Sequence, residues 1–252
     1  MNAASPRAGE PLRIAMWSGP RNISTAMMRS FSARADCAVS DEPFYGCFLK
    51  HSGADHPMRE AVVASMDCNW QSVAATLAGL APGGKPVWYQ KHMPHHMVGS
   101  IAPDDLRGVV HAFLIRDPAR MAASYAAKRE TVTPEDLGVA AQRAFFDRVA
   151  DRIGQAPPVI DSADVLRDPA GTLSALCAAL GITWDPAMLS WAPGRHADDG
   201  VWAAHWYGRV ETSTGFGAPE GEPQPLTPAL AAVADACRAD YLAMATHRLN
   251  AA

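Results

Sequence analysis

The feature that most constrains this fold is a regular alternation of short apolar runs with helix-like stretches. Buried strands are predicted at four of the apolar runs, residues 12–18, 86–92, 109–116 and 157–165. Helices are predicted at five other stretches, residues 24–34, 117–130, 134–154, 167–181 and 226–248. Strands that alternate with helices form a parallel sheet covered on both faces. The sequence therefore predicts a three-layer α/β fold with a central parallel sheet.

Two regions fit this alternation poorly, residues 44–68 and residues 191–225, and the second is rich in Trp, Gly and Pro. Ligands of open parallel sheets bind beyond the carboxyl ends of the strands, where connecting loops gather. We therefore predict that both regions are lids over a site. A length of 252 residues suits one domain with such additions, so residues 1–252 are interpreted as a single domain with a flexible start at residues 1–11.

Charge and composition narrow the class of partner. The formal net charge is -4 at pH 7, which argues against a nucleic-acid surface, because binding to a phosphate backbone requires a basic face. No segment of the sequence approaches the roughly 20 apolar residues of a membrane-spanning helix. The five cysteines are odd in number and form no CxxC pair, which is typical of reduced thiols. We expect a soluble cytoplasmic protein that binds neither nucleic acid nor membrane.

The loop after the first strand indicates an anion site. After Gly19 it consists of Pro20, Arg21, Asn22, Ile23, Ser24 and Thr25. A loop that opens a helix directs backbone N–H groups and the positive helix end at an anion, and Arg21 adds a charged donor fork. The GxxxxGK[ST] pattern of nucleotide kinases is absent, because the loop has no lysine. The alternative is a helix N-terminus capped by Asn22 or Ser24 with no ligand.

An arginine and a serine mark a second candidate anion site. Arg116 ends a predicted strand, and Ser124 follows eight residues later in the next predicted helix. An arginine at the carboxyl end of a central strand faces the ligand crevice. The serine hydroxyl could bind the same anion. The alternative is a structural ion pair of Arg116 with Asp117 or Asp41.

A histidine-rich segment provides the third candidate group. His92 ends a predicted strand, beside Lys91 and shortly before His95 and His96. A histidine at the mouth of a sheet suits a general base, because its pKa lies near the working pH. A purely structural histidine is one alternative. A metal site formed by His92, His95 and His96 is another, although the HExxH zinc pattern is absent.

In their order along the chain these features resemble the sulfotransferases that use 3′-phosphoadenosine 5′-phosphosulfate (PAPS). Residues 20–25 stand where that family has Pro-Lys/Arg-Ser-Gly-Ser/Thr-Thr. Arg116 and Ser124 match its arginine and serine in type and spacing. Residues 90–94 align with its Lys-Thr-His-Leu-Pro segment, and residues 41–44, Asp-Glu-Pro-Phe, are similar to a Glu-Pro element near the acceptor site of many bacterial members.

The resemblance covers roughly residues 12–182 and implies a P-loop-like sulfotransferase fold. It also implies that the protein transfers a sulfuryl group from PAPS to a hydroxyl or amine of a small-molecule acceptor, without a metal. It implies that the loop from Pro20 to Thr25 binds the 5′-phosphosulfate. Arg116 and Ser124 would bind the 3′-phosphate. Three residues would be catalytic: His92 would act as general base, and Arg21 and Lys91 would stabilise the leaving phosphate.

The sequence departs from the family pattern at several places, among them the first loop, Gln90 where cytosolic members often have lysine, and the late part of the chain. Asn22 and Ile23 replace the usual Ser-Gly of the first loop, which predicts a different backbone shape there. The late Arg-Lys-Gly loop that holds the 3′-phosphate in cytosolic members is not clear, and Arg195 or Arg209 are candidate replacements.

An acceptor pocket is predicted beneath the two lids. Its candidate residues are polar and aromatic side chains, namely Glu42, Phe44, Tyr45, His95, His96, Trp202, His205, Trp206 and Tyr207. This mixture favours a small-molecule acceptor with both apolar and polar parts. The alternative is that Trp202, Trp206 and Phe216 only pack a second small core.

Two other functions fit the same sequence. A small-molecule kinase would use a similar sheet, with Asp41 as the acid that binds magnesium, but it would need the missing loop lysine. A non-catalytic nucleotide-binding module would keep the fold and lose the chemistry. The sequence leaves the assembly open, and a homodimer is one candidate.

Overall fold

A computed structural model describes residues 9–97, 105–106, 108–127, 131–223 and 225–250. Within these ranges five parallel strands form one sheet, Leu12–Ser18 (β1), Cys37–Asp41 (β2), Val87–His92 (β3), Val109–Ile115 (β4) and Val159–Asp161 (β5). Their order across the sheet is β2-β3-β1-β4-β5. The predicted α/β class with a parallel sheet is confirmed. Most of residues 1–11, predicted to be flexible, lie outside the described residues.

Helices cover both faces of the sheet and its carboxyl edge. The α-helices in the first part of the chain are Ser24–Ser32 (α1), Tyr45–Ser52 (α2), Arg59–Ser65 (α3), Trp70–Leu77 (α4), Pro118–Ala126 (α5), Pro134–Leu137 (α6) and Val139–Ile153 (α7). The second part contributes Ser162–Arg167 (α8), Pro169–Leu180 (α9), Ala203–Trp206 (α10), Gly208–Glu211 (α11) and Pro228–Ala245 (α12). No helix in the described ranges combines the length and the apolar character needed to cross a bilayer.

The predicted boundaries were wrong at two elements. The fourth predicted strand, residues 157–165, is only three residues long, because the Asp161 side chain accepts a hydrogen bond from the N–H of Ala163 and so begins helix α8. The single helix predicted over residues 134–154 is divided into α6 and α7 at Gly138, whose φ of 67° ends α6. Residues 128–130, predicted to continue α5, lie outside the described residues.

The central strand β1 separates two hydrophobic cores. Ala15 and Trp17 face one core, which contains side chains of α5, α7 and α12. Ile14 and Met16 face the other, which contains side chains of α1 and α9. Alternate residues of a strand point to opposite faces, and a strand with both faces buried is apolar throughout. This explains the continuous apolar run that predicted β1.

The two predicted lid regions pack against each other. Tyr45 and Leu49 from the first region form a third hydrophobic cluster with Trp202 and Tyr207 from the second. The first region is largely helical, with α2 and α3, rather than an irregular loop. The second region is tied to helix α1 by an ion pair between Arg29 and Asp199, whose side chains are 1% and 0% exposed.

Candidate functional site

The site is a cavity of about 610 Å³ at the carboxyl end of the sheet. Strand β1 lies between β3 and β4, so the loops that leave β1 and β4 meet at this edge. Ligands of open parallel sheets bind at such a crevice. The first loop, the end of β3, Arg116 after β4, the last turn of α5 and both lid regions all contribute to the lining.

The first loop lies at the cavity as predicted, and all six residues from Pro20 to Thr25 line it. Helix α1 begins at Ser24, and its N-cap residue Ile23 makes no side-chain capping bond. The alternative of a capped helix end is therefore not supported. Arg21 and Ile23 have φ angles of 59° and 51°. Such left-handed residues let successive backbone N–H groups converge on an anion, and backbone strain of this kind is concentrated at functional sites.

The replacement of the family's Ser-Gly by Asn22-Ile23 has a visible structural consequence. Ile23 adopts a left-handed conformation that glycine would adopt without steric cost. Asn22 is buried, and its side chain donates a 2.7 Å hydrogen bond to the carbonyl of Leu114. This bond ties the loop to β4, so the Asn22 amide nitrogen anchors the loop rather than presenting a free donor to a ligand.

The two predicted anion sites form one cluster. Arg21 Nε donates to Ser124 Oγ at 3.1 Å, and Arg116 donates to the carbonyl oxygen of Arg21. Burial, followed by the positive charges of Arg116 and Arg209, lowers the pKa of Arg21. All four side chains line the same cavity. This part of the cavity therefore combines three guanidinium groups with the amides of the α1 N-terminus.

Arg116 has an acidic partner that the sequence did not reveal. It pairs with Glu220, which also lies 3.3 Å from Arg120 Nε. The predicted alternatives do not occur, because Asp117 caps helix α5 and Asp41 pairs with Lys91. Of the two candidate late arginines, Arg209 lines the cavity, whereas Arg195 does not and lies 3.9 Å from a carboxylate oxygen of Glu211.

A buried charge network forms the other end of the cavity. Lys91 Nζ donates to Asp41 Oδ1 at 2.9 Å, to Glu42 Oε1 at 2.5 Å and to the Tyr207 hydroxyl at 2.8 Å. Burial opposes the charge on Lys91, but Asp41 and Glu42 outweigh it and raise the pKa of Lys91 well above its ordinary value. An ammonium group has three N–H donors. All three have partners here, so Lys91 has no donor left for the predicted contact with a leaving phosphate.

His92 points to the opposite face of β3 from Lys91, since successive strand residues alternate. It pairs in register with Trp17, and the two rings stack with centroids 4.5 Å apart. His92 Nε2 lies 3.3 Å from Gln90 Oε1. Burial, with a smaller contribution from His111, lowers the pKa of His92 to about 3. His92 does not line the cavity, so the geometry supports the structural histidine rather than the general base.

Seven of the nine predicted acceptor residues line the cavity, namely Glu42, Tyr45, His95, His96, Trp202, Trp206 and Tyr207. The other two do not. Phe44 is buried in the core and stacks on Trp70 at a centroid distance of 5.7 Å. His205 is exposed to solvent and contacts Trp206 from outside. Trp202 lines the cavity and also packs in the third cluster, so the predicted second core and the predicted pocket share this residue.

Glu42 is the one carboxylate among the predicted acceptor residues, and it lines the cavity. Its Oε1 accepts from Lys91, and its Oε2 lies 3.9 Å from His96 Nδ1, which is buried without a hydrogen-bond partner. Glu42 has a φ of 43°, a left-handed conformation that is rare for glutamate. Burial raises the pKa of Glu42, and the nearby charge of Lys91 opposes this shift.

Two of the histidines that line the cavity have lowered pKa values. Burial, followed by the charges of neighbouring histidines, lowers the pKa of His95 to about 4 and that of His96 well below its ordinary value. His56, which the sequence did not single out, also lines the cavity, and its Nδ1 lies 2.6 Å from the Tyr45 hydroxyl. In the described part of the chain, no three His, Cys, Asp or Glu side chains are grouped so that they could bind a metal ion.

Fold and site together define an α/β protein with an arginine-lined cavity at the carboxyl edge of a parallel sheet. A family model described as "Sulfotransferase domain" matches residues 12–247. The chain belongs to this sulfotransferase family.

Two curated relatives come from Arabidopsis thaliana. Branched-chain-amino-acid aminotransferase-like protein 1 is 36% identical over 218 residues, which cover 85% of this chain and 38% of the relative. Branched-chain-amino-acid aminotransferase-like protein 2 is 33% identical over 214 residues, 84% of this chain and 37% of the relative. The chain thus spans little more than a third of the length of these relatives.

A solved structure has the same fold. It is described as "Sulfotransferase Domain from the Curacin Biosynthetic Pathway" and superimposes with a TM-score of 0.51 at 17% sequence identity. The match covers 90% of this chain and 97% of that one. At this identity the likeness concerns the fold, and it agrees with the P-loop-like sulfotransferase architecture.

Proposed function

We propose that this chain transfers the sulfuryl group of PAPS to a hydroxyl group of a small-molecule acceptor. One observation carries the proposal: the first loop and the Arg116–Ser124 pair line the same cavity and are joined through Arg21. The ribose of PAPS carries one anionic group at its 5′ position, the phosphosulfate, and another at its 3′ position, the phosphate. One cavity that holds two arginine-rich anion sites suits such a ligand better than a ligand with a single phosphate.

The donor half of the cavity has hydrogen-bonding capacity to spare. Arg116 Nε is buried without a hydrogen-bond partner, which is costly unless a ligand satisfies it. The uncapped N–H groups at the start of α1 are a second set of donors. We assign the 5′-phosphosulfate to the loop from Pro20 to Thr25 and the 3′-phosphate to Arg116 and Ser124. Arg209 is the late arginine that we assign to the donor site.

We assign the role of general base to Glu42 rather than His92. PAPS supplies a sulfuryl group on a phosphate leaving group. As the acceptor oxygen bonds to sulfur, the bond from sulfur to the bridging oxygen breaks, and the acceptor proton passes to Glu42 Oε2. Burial raises the pKa of this carboxyl, which strengthens it as a base near neutral pH. Lys91 holds the other carboxylate oxygen and is a positioning residue.

Arg21 is the group that we assign to the leaving phosphate. Its guanidinium is held by Ser124, and the amides of α1 lie beside it in the same cavity. Fixed donors aimed at developing negative charge stabilise a transition state without reorganising during the reaction. The half of the cavity around Tyr45, Trp202 and Trp206 is aromatic, which supports an acceptor with an apolar body.

Ligand binding tests the donor. 3′,5′-Diphosphoadenosine (PAP) without metal should raise the melting temperature, whereas ATP with magnesium should not, because a ligand stabilises the protein in proportion to RT ln(1 + [L]/Kd). Arg116→Ala should weaken PAP binding. Stabilisation by ATP with magnesium alone would favour the kinase, and an unchanged Kd in Arg116→Ala would remove this arginine from the site.

Catalysis tests the base. Release of PAP from PAPS in the presence of a panel of hydroxyl compounds should fall by roughly a hundredfold or more in Glu42→Gln, while PAP binding is kept. The matched control is Glu60→Gln, on the exposed surface of α3. Equal turnover in both variants would refute the assignment. PAP binding with no turnover of any acceptor would favour the non-catalytic nucleotide-binding module.

A further inference from the structure

Glu220 occupies the part of the cavity that the proposed function assigns to the 3′-phosphate. Its carboxylate pairs with Arg116 through Oε1 and lies 3.3 Å from Arg120 Nε through Oε2. Arg120 also donates a 2.7 Å hydrogen bond to the carbonyl of the next residue, Gly221. The segment that carries Glu220 is thus fastened by Arg116, which directly follows β4, and by Arg120 of α5.

The fit of this carboxylate is incomplete. Arg116 Nε and Glu220 Oε2 are both buried without a hydrogen-bond partner. A carboxylate offers two oxygens to a pair of guanidinium groups that together have about ten N–H donors. A phosphate offers three oxygens and nearly twice the negative charge. A phosphate at this position would therefore satisfy the two arginines better than Glu220 does.

Arg120 is well placed to take part in such an exchange. It lies on α5 four residues before Ser124, and side chains separated by four residues share one face of a helix. Ser124 and Arg116 line the cavity, and Arg120 reaches the same point through Glu220. The Arg120 side chain is 21% exposed, and it contacts the Glu220 carboxylate and the Gly221 carbonyl.

We propose that Glu220 is an internal competitor for the 3′-phosphate, and that a bound donor displaces it and takes over both Arg116 and Arg120. This inference rests on the proposed function. It adds Arg120 as a specificity-determining residue and gives Glu220 the role of a gate. A ligand without a 3′-phosphate has nothing to exchange for the carboxylate, so it leaves the gate in place.

Isothermal titration with PAP and with adenosine 5′-phosphate, which lacks the 3′-phosphate, tests the gate. Glu220→Gln should bind PAP about tenfold more tightly than the wild type, because the competing charge is removed. Its Kd for adenosine 5′-phosphate should change less than about twofold. The matched control is Glu222→Gln, on the same segment and exposed, which should bind both ligands as the wild type does.

The same titration tests Arg120. In the Glu220→Gln background, Arg120→Gln should weaken PAP about tenfold and leave adenosine 5′-phosphate unchanged. Equal PAP affinity in wild type and Glu220→Gln would overturn the gate while leaving the proposed donor intact. Equal loss of both ligands in the Arg120 variant would overturn its role at the 3′-phosphate. Failure of the wild type and of every variant to bind PAP would overturn the proposed function and the gate with it.

Discussion

Replacing His92 with glutamine separates a structural histidine from a catalytic one. In the folded protein His92 is buried against Trp17 and its pKa is about 3, compared with 6.5 for an ordinary histidine. The unfolded chain therefore binds a proton in the interval between these values and the folded chain does not. A histidine whose folded-state pKa is depressed contributes stability above pH 6.5, and this contribution is lost as the pH falls towards 3.

The size of the effect follows from the two pKa values. Lowering the pH from 7 to 5 should cost the wild type about 2 kcal/mol of unfolding free energy through His92 alone. Other titrating groups add their own changes, but these cancel when wild type and His92→Gln are compared. Glutamine places an amide near the position of Nε2, which faces Gln90, but it loses the stacking on Trp17. We expect a loss of about 0.5–1.5 kcal/mol at pH 7, the range of aromatic pair energies. At pH 5 the variant should be as stable as the wild type or slightly more stable.

Urea unfolding followed by tryptophan fluorescence, at pH 7 and pH 5, measures this difference. Turnover of PAPS at pH 7 should stay within about threefold of wild type in His92→Gln, since a lost general base would cost roughly a hundredfold or more. A parallel loss of stability in both proteins would show that His92 is not held neutral. A hundredfold loss of turnover in a folded variant would restore His92 as the base.

Three further outcomes are expected. Asp199→Ala should cost about 3–5 kcal/mol in chemical denaturation, because it leaves the Arg29 charge buried and unpaired; a change below about 1 kcal/mol would contradict this. The acid limb of kcat/KM should lie above pH 4.5, because burial raises the pKa of Glu42 and the base must be ionised to act; a limb at or below that value would exclude Glu42. Gly19→Ala should lower stability by about 1–3 kcal/mol, because its Cβ would lie 2.8 Å from a backbone oxygen, whereas Gly217→Ala, with nothing within 4 Å, should be neutral in thermal unfolding.

The location of the proposed donor-binding residues could be predicted because each of them lies close in sequence to the end of a predicted strand. The first loop follows directly on β1. Arg116 directly follows β4, and Ser124 lies eight residues later in the last turn of α5. Strand-end residues of a parallel sheet meet at one edge whatever the rest of the chain does. Their meeting at one edge could therefore be predicted without knowledge of the strand order.

The resemblance to the family does not show which face of β3 carries His92, whereas the alternation of side chains along a strand limits the choice. Lys91 and His92 are adjacent in a buried strand, so only one of them can face the cavity. Lys91 pairs in register with Asp41 and His92 with Trp17. A charged residue opposite an aspartate and an aromatic ring opposite a tryptophan indicate the two faces, but the pairing itself depends on the fold.

No pattern in the sequence predicts that Glu220 pairs with Arg116. It lies 104 residues from Arg116 in a stretch rich in Gly and Pro, without any periodicity. Its position depends on the path of the whole second lid region over the sheet. Residues placed by long connections of this kind are beyond reasoning from local pattern.

The contacts of the second lid region limit how the acceptor specificity of this protein can change during evolution. Between positions 199 and 220 a single stretch of chain contacts helix α1 through Asp199, Lys91 through Tyr207 and Arg116 through Glu220. The same stretch provides Trp202 and Trp206 to the acceptor wall. An insertion that reshapes this wall for a new acceptor would therefore also shift donor affinity. New specificities should arise more readily through substitutions in helix α2, which contributes Tyr45 to the cavity and carries none of these three contacts.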